Sequence, residues 1–487
     1  MENMKKNKIY KNPLENFLFN NLILKSDSYK ISHYKQYPEG TTKIYSYLES
    51  RGGKFDKTLF FGLQYYLKKY FEGNVISIDF VKAANEFSKK HFGSDIFNYE
   101  GWMYIATELG GKLPLKIMAA PEGFVIPTHN VLLTIENTDD KCFWLTNWAE
   151  TLIMKLWATI TVSTNSWYSK QLIKKHMEST GSESSGLPFK LHDFGYRGVS
   201  SEESAGLLTM SHLVNFMGTD TLEGIIVANE YYNSTDEFKM YGYSIPASEH
   251  STMTSWGKDN EMDAVLNMIK QYPTGLVSCV GDSYNIYNFA QKLSEEPFKS
   301  KILGRDGTFV LRPDSGDPLE VISKLLDILW NGFGGIYNDK GFKVLDPHIR
   351  IIQGDGIDFD SIGEILKMIE AKKFSIDNIV FGSGGGLLQK FDRDTQKFAI
   401  KCSHAIINGI EVDVQKDPIT SSGKKSKKGR LKLHSSMGNF MTLSSNNLPF
   451  PQYNSYVDTL IPVFENGVIL KEYSFEEIRE NSEKFKI

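Results

Sequence analysis

The chain has 487 residues, 41% hydrophobic and 23% charged, which fits two or three globular domains with a large core. A net charge of −4 gives no basic field for nucleic acid, and no apolar run is long enough to cross a membrane. Cys142, Cys279 and Cys402 are far apart and odd in number, which argues against a disulfide scaffold or zinc ribbon and fits a reducing cytoplasm.

Residues 1–20 are rich in Lys and Asn and lack the apolar stretch of a secretory signal, so they read as a polar extension. Residues 41–49 alternate like a half-buried strand. Apolar spacing predicts helices over 60–71 and 80–92. Between 113 and 133, short β-like runs are broken by Pro121, Gly123 and Pro127. Residues 146–172 read as one long amphipathic helical region.

The next region is more regular. A strand end at 189–192 precedes Asp193-Phe-Gly-Tyr-Arg197, a helix is predicted over 201–216, and 222–227 is a short apolar run. Strands at 276–280, 308–311 and 349–352 are followed by helices at 284–293, 318–330 and 359–369; a strand at 379–381 runs into glycines. Strand–helix units at this spacing predict buried parallel strands, closed either as a doubly wound sheet or as a barrel. In both architectures chemistry gathers at the carboxyl ends of the strands. From about residue 397 the pattern is again β-like, at 398–407, 410–414 and within 431–464, with a basic run at 424–430 and a polar helical tail at 475–485. The expected organisation is a polar extension, residues 1–20; a β-rich domain from 21–150 with about 397–487; and a βα domain over 151–396.

The candidate chemistry lies at predicted strand ends. His250 follows Glu249 in a segment without helical periodicity. A carboxylate contact from Glu249, or equally from Asp282, would fix one imidazole tautomer and suit the ring to act as a general base or a phosphoryl acceptor. In Arg312-Pro-Asp314-Ser-Gly316, the arginine fork suits a phosphate and the carboxylate suits ribose hydroxyls. Gly354-Asp355-Gly356 offers amides and a carboxylate for ribose, phosphate or hydrated Mg²⁺. The run Gly384-Gly385-Gly386 exposes bare amides suited to an anion, but matches neither a dinucleotide fingerprint nor a P-loop. Phe194 and Arg197 together offer an aromatic face and a guanidinium to an electron-poor ring.

Long ordered segments carry a resemblance that spans the chain from about residue 22 onward. They include SDSYKISHYKQYP, LTNWAETL, HDFGYRGVSS, HLVNFMGTDT, YSIPASEHST, GDSYNIYN, LRPDSGDPL, IIQGDGID and FGSGGGLLQK. The chain resembles the nicotinamide phosphoribosyltransferases of the type II, nicotinate phosphoribosyltransferase-like family. The resemblance implies a distorted βα barrel beside a β-rich domain built from the N- and C-terminal segments, and a homodimer with shared active sites. It implies that nicotinamide and 5-phosphoribosyl 1-diphosphate give nicotinamide mononucleotide and diphosphate, the salvage step toward NAD.

Motif by motif, the resemblance implies that Phe194 stacks on nicotinamide opposite Tyr29 of the partner subunit. It gives Asp220 the carboxamide, Ser278 a further substrate contact, and Arg197 and Arg312 the diphosphate and nucleotide. It assigns Asp314, Gly354 and Asp355 to the ribose. Gly384 and Gly385 take the 5′-phosphate, with Arg393 and Lys401 reaching in from the partner subunit and Lys416 and Lys424 covering the phosphate end. His250, oriented by Glu249 or Asp282, is implied to take a phosphoryl group from ATP as co-substrate, with Mg²⁺ held mainly by the substrate diphosphate. The ring nitrogen of nicotinamide carries no proton, so on this reading no general base is required. Asp220 speaks against nicotinate as substrate, because two carboxylates repel. Ala399 stands where the family pattern has a serine near the phosphate.

Overall fold

The computed structural model describes residues 13–420, 425–436, 438–444 and 457–486. Two compact units emerge. The described residues of Met1–Thr161 and Asp392–Phe485 form one, and those of Val162–Phe391 the other.

The first unit is built on a seven-stranded antiparallel sheet. Strand Thr41–Ser50 lies between Val131–Asn137 and Phe398–Ile407, and Ile461–Glu465 pairs with Leu115–Ala119. The two ends of the chain are therefore knitted together by backbone hydrogen bonds. Strand Thr41–Ser50 is not half-buried as its alternation predicts: residues 44–50 are all buried, because it is an interior strand covered on both faces. The helix expected at 60–71 begins only at Leu63. Lys57–Leu59 pairs as a strand with Val125–Pro127, and Gly62 (φ 103°) turns the chain into Leu63–Tyr66 and a π-helical turn, Leu67–Phe71. The region predicted as one helix at 146–172 is two, Leu145–Met154 and Leu156–Thr180, parted where the N–H of Lys155 bonds to Leu152 O.

The second unit contains six parallel strands: β1 (Leu191–Asp193), β2 (Gly218–Thr219), β3 (Val277–Val280), β4 (Phe309–Arg312), β5 (Ile349–Gln353) and β6 (Ile379–Ser383). Their order is β2-β1-β6-β5-β4-β3. Most strand residues are buried, which is why they read as short apolar runs. Helices Glu202–Leu213, Ile286–Leu293, Pro318–Phe333 and Phe359–Ala371 follow strands, as the repeat predicts, and the run at 222–227, expected only as a short apolar stretch, is part of a further helix, Leu222–Tyr232. Several have polar N-caps: Ser201, Asn285, Asp317 and Asp358 each accept from a backbone N–H of the first turn.

The sheet edges are joined by a stretch that has no regular pattern in sequence. Tyr243 pairs beside Gly218 at the β2 edge, and Ala247 pairs beside Ser278 on β3. Tyr243 N–H bonds to Met217 O at 2.7 Å, Ser278 N–H to Pro246 O at 2.9 Å and Ser248 N–H to Ser278 O at 3.0 Å. Of the two closures open to the sequence, the sheet takes the barrel-like one.

Candidate active site

Each of the six strands ends on a residue group singled out in the sequence. Phe194 and Arg197 follow β1, Asp220 follows β2, Asp282 follows β3, Arg312 ends β4 with Asp314 just beyond, Gly354 and Asp355 follow β5, and Gly384 follows β6. Parallel strands deliver these ends to one face, which is the physical reason that residues scattered over nearly two hundred positions meet.

A cavity of about 690 Å³ opens there and runs into the sheet. Phe194, Arg197, Asp220, Ser278, Arg312 and Glu249 are in its wall. Arg350 on β5 also lines it, its Nη1 donating to the carbonyls of Leu345, Asp346 and Ile349. Burial holds that guanidinium below its usual pKa. Ser278 is buried, and its hydroxyl makes no hydrogen bond to protein groups among the described residues.

The Phe194 ring is half-buried, and glycines make room for it. A Cβ on Gly382 would overlap the ring, and one on Gly354 would stand 3.3 Å from its Cε2. Asp220 is exposed, and its Oδ1 accepts from the Ser244 hydroxyl. Gly384 approaches the Phe194 backbone closely, since a Cβ there would lie 3.3 Å from Phe194 O.

His250 begins the short helix His250–Thr254. Its Nε2 lies 2.8 Å from Asp282 Oδ1 and its Nδ1 3.9 Å from Asp314 Oδ2. Of the two orienting partners considered in sequence, Asp282 makes the contact. The Glu249 carboxylate instead accepts from the Ser251 hydroxyl, because at the N-cap it points back along its own turn. Asp282 Oδ2 also accepts from the Asp314 N–H at 3.2 Å and from the Ser315 hydroxyl, tying the β3 and β4 loops together. Arg312 donates to Asp314 Oδ1 through Nη1 and to Ser248 O through Nη2, both at 3.0 Å. Burial is the main cause that raises the pKa of Asp314; the charges of Asp282 and Asp355 add to it, and those of Arg312 and His250 oppose it.

Ser248 is a residue the sequence reading passed over. It sits two positions before His250, gives its carbonyl to Arg312 and accepts from Val280 N–H at 2.9 Å through its hydroxyl. Its only signal in sequence was its place in YSIPASEHST.

Four candidates belong to the first unit. Tyr29 is 60% exposed, edge-on to His33. Lys401 is half-buried, and Arg393 and Lys416 are exposed. The Lys401 pKa is lowered, first by burial and then, against the opposing charge of Glu150, by the charges of Arg51, Lys416 and Arg393, so these cations share one neighbourhood. Lys424 lies outside the described residues.

Among the described residues no three His, Cys, Asp or Glu side chains are placed to ligate one metal ion. No helix among them is long and apolar enough to cross a membrane.

The model of the nicotinate phosphoribosyltransferase family matches residues 189–460, and that of the nicotinamide phosphoribosyltransferase N-terminal domain matches 21–117. A protein of Xanthomonas campestris pv. campestris named nicotinamide phosphoribosyltransferase is 46% identical, the match covering 95% of this chain and 98% of the relative. One of the same name from Acinetobacter baylyi is 32% identical over 93% and 95%. The solved structure of nicotinate-nucleotide pyrophosphorylase from Pyrococcus furiosus has the same fold, with a TM-score of 0.58 at 15% identity, covering 99% of this chain and 98% of that one. With its six strand ends and the spans these models match, the chain belongs to the nicotinate phosphoribosyltransferase family, and so to the pentosyltransferases.

Proposed function

We propose that the protein joins nicotinamide to 5-phosphoribosyl 1-diphosphate, forming nicotinamide mononucleotide and diphosphate as a salvage step toward NAD. The observation that carries this reading is the pairing of Phe194 with Asp220 in one cavity wall. An aromatic face suits the pyridine ring. A carboxylate beside it accepts from the carboxamide NH₂ of nicotinamide and repels the carboxylate of nicotinate.

In the reaction the lone pair of the pyridine nitrogen forms the bond to C1 of the ribose while the C1–O bond to diphosphate breaks. The nitrogen has no proton to lose, so the site's work is electrostatic: holding the ring, the ribose and the two phosphate ends in line. Arg197 and Arg312 serve the diphosphate; Asp314, Gly354 and Asp355 the ribose; Gly384 and Gly385 the 5′-phosphate; Ser278 offers its hydroxyl to the bound ring. Mg²⁺ on the leaving diphosphate would neutralise the charge that develops there. Asp282, Asp314 and Asp355 are hard oxygen donors at the strand ends, and the metal is assigned mainly to substrate oxygens and water.

His250 is assigned the phosphoryl group of ATP, with Asp282 orienting the ring. Its nitrogen attacks the γ-phosphorus, the bond to the β-phosphate oxygen breaks and ADP leaves. The working form is assigned as a homodimer in which Tyr29 of the partner subunit closes over the nicotinamide, Arg393 and Lys401 of the partner subunit approach the phosphate, and Lys416 and Lys424 cover the phosphate end. The three free cysteines suit a reducing cytoplasm.

Purified protein mixed with nicotinamide, phosphoribosyl diphosphate and Mg²⁺ should release nicotinamide mononucleotide, and nicotinate in place of nicotinamide should give far less product. Absence of product at micromolar enzyme would overturn the assignment. Equal use of nicotinate would overturn the role of Asp220.

A further inference from the structure

Asp193, the last residue of β1, carries the most deeply buried carboxylate in the neighbourhood of the cavity. It is 0% exposed, and no lysine or arginine among the described residues forms an ion pair with it. A charge placed there is expensive unless hydrogen bonds compensate for it. Burial pushes its pKa up, and neutral donors pull it back.

Those donors come from different elements: the turn after β1, the helix Glu202–Leu213 and the end of β2. Oδ1 accepts from the Gly195 N–H at 2.7 Å. Oδ2 accepts from the Thr209 hydroxyl at 2.6 Å and the Thr219 hydroxyl at 3.0 Å. Gly195 directly follows Phe194, and Thr219 directly precedes Asp220. The Thr219 hydroxyl in turn accepts from the Thr221 N–H at 2.9 Å, and the Asp193 carbonyl accepts from the Asp220 N–H at 2.9 Å. Asp220 is therefore bracketed on both sides by groups that end on Asp193. Thr209, on the helix Glu202–Leu213, fixes the carboxylate from behind without lining the cavity.

We propose that Asp193 is a positioning residue for nicotinamide, setting the spacing between the ring-stacking Phe194 and the amide-accepting Asp220; this rests on the nicotinamide reading given above. A stack and a hydrogen bond to one small rigid ligand are satisfied together only at one separation, and a single carboxylate that accepts from both loops supplies it. Ordinary core packing would not require an ionisable group. An asparagine of the same shape has one acceptor oxygen where Asp193 has two, so either the Gly195 N–H or the threonine pair must lose its bond geometry.

The test is steady-state kinetics on Asp193→Asn, Thr209→Val and Thr209→Ser, with thermal melting of each. Expected for Asp193→Asn is a KM for nicotinamide raised about tenfold or more, equivalent to one good hydrogen bond. The KM for phosphoribosyl diphosphate should stay near wild type. Thr209→Val should shift the nicotinamide KM the same way by a smaller factor, and Thr209→Ser, which keeps the hydroxyl, should restore it. If Asp193→Asn does not fold, the Thr209 pair decides alone. A folded Asp193→Asn with unchanged nicotinamide KM overturns the proposal. So does a parallel rise in both KM values, or a Thr209→Ser that fails as Thr209→Val does, since either marks a general structural role. If the wild type itself forms no nicotinamide mononucleotide, the functional reading falls first and this inference with it.

Discussion

Asp282 Oδ1 stands 2.8 Å from His250 Nε2, while its other oxygen accepts from the Asp314 N–H and the Ser315 hydroxyl. One side chain thus joins the imidazole to the loop after β4, so the direction of the His250 ring is set by a neighbour 32 residues away rather than by the adjacent Glu249. Replacing Asp282 with Asn should leave His250 in place but poorly oriented. We expect acid-labile ³²P transfer from ATP to fall by at least about tenfold, the usual scale for losing an orienting carboxylate beside a histidine. In His250→Ala it should vanish. Nicotinamide mononucleotide formation without ATP should persist in His250→Ala. A normal phosphorylation rate in Asp282→Asn would remove Asp282 from the orienting role.

Asp220 is exposed in the cavity wall, with the Ser244 hydroxyl as its contact. Replacing it with Ser removes the charge that favours an amide over a carboxylate. The kcat/KM for nicotinamide should fall by roughly tenfold or more, because a donor NH₂ loses a charged acceptor. Use of nicotinate should stay level or rise. Competition assays with both bases would show this as a collapse of the selectivity ratio.

How legible the site was depended on how each residue is held. The strand ends could be read because buried parallel strands are short apolar runs that stop at polar residues or glycine; Val277–Val280 before Gly281-Asp282 is one example. The stretch around Tyr243 and Ala247 could not, because it pairs with each sheet edge through a single isolated bridge, too short to print a period-2 pattern. Helices Tyr99–Thr107 and Glu261–Gln271 were missed as well, being short segments within polar surroundings. Sequence left Glu249 and Asp282 as equal partners for His250, and the fold decides between them because at a helix N-cap neighbouring side chains point apart. The positions of Arg393, Lys401 and Lys416 followed from resemblance alone, since single basic residues in β-like segments carry no local signal of a phosphate.

Gly382 on β6 lies under the Phe194 ring with no space for a methyl group. Gly382→Ala should push the ring off its seat. The strand position is buried, so a stability loss of about 1–3 kcal/mol is expected from overpacking. The informative readout is nicotinamide affinity in the folded fraction, which should fall toward that of Phe194→Ala. Combining the two changes should then cost little more than Phe194→Ala alone, because they act on one ring. Additive losses would mean that Gly382 acts elsewhere.

Lys190, just before β1, is 5% exposed and donates through Nζ to the carbonyls of Ile376 at 2.7 Å and Ile379 at 2.9 Å. Burial is the main cause that pushes its pKa down to about 8 from 10.5; Asp377 opposes the shift and Arg350 adds to it. Below about pH 8 the lysine is protonated in both folded and unfolded chains, and the fold carries the full cost of the buried charge. Between about pH 8 and 10.5 the unfolded chain binds more protons than the folded one, so this group's contribution to stability rises with pH. Relative to Lys190→Met, the wild type should therefore gain up to about 3 kcal/mol across that window. Paired denaturant titrations at pH 7.5, 9 and 10 would measure the difference, with the comparison cancelling the titration of cysteines and tyrosines common to both proteins. A pH-independent gap would mean that Lys190 stays charged in the fold throughout, held by the two carbonyls and Asp377.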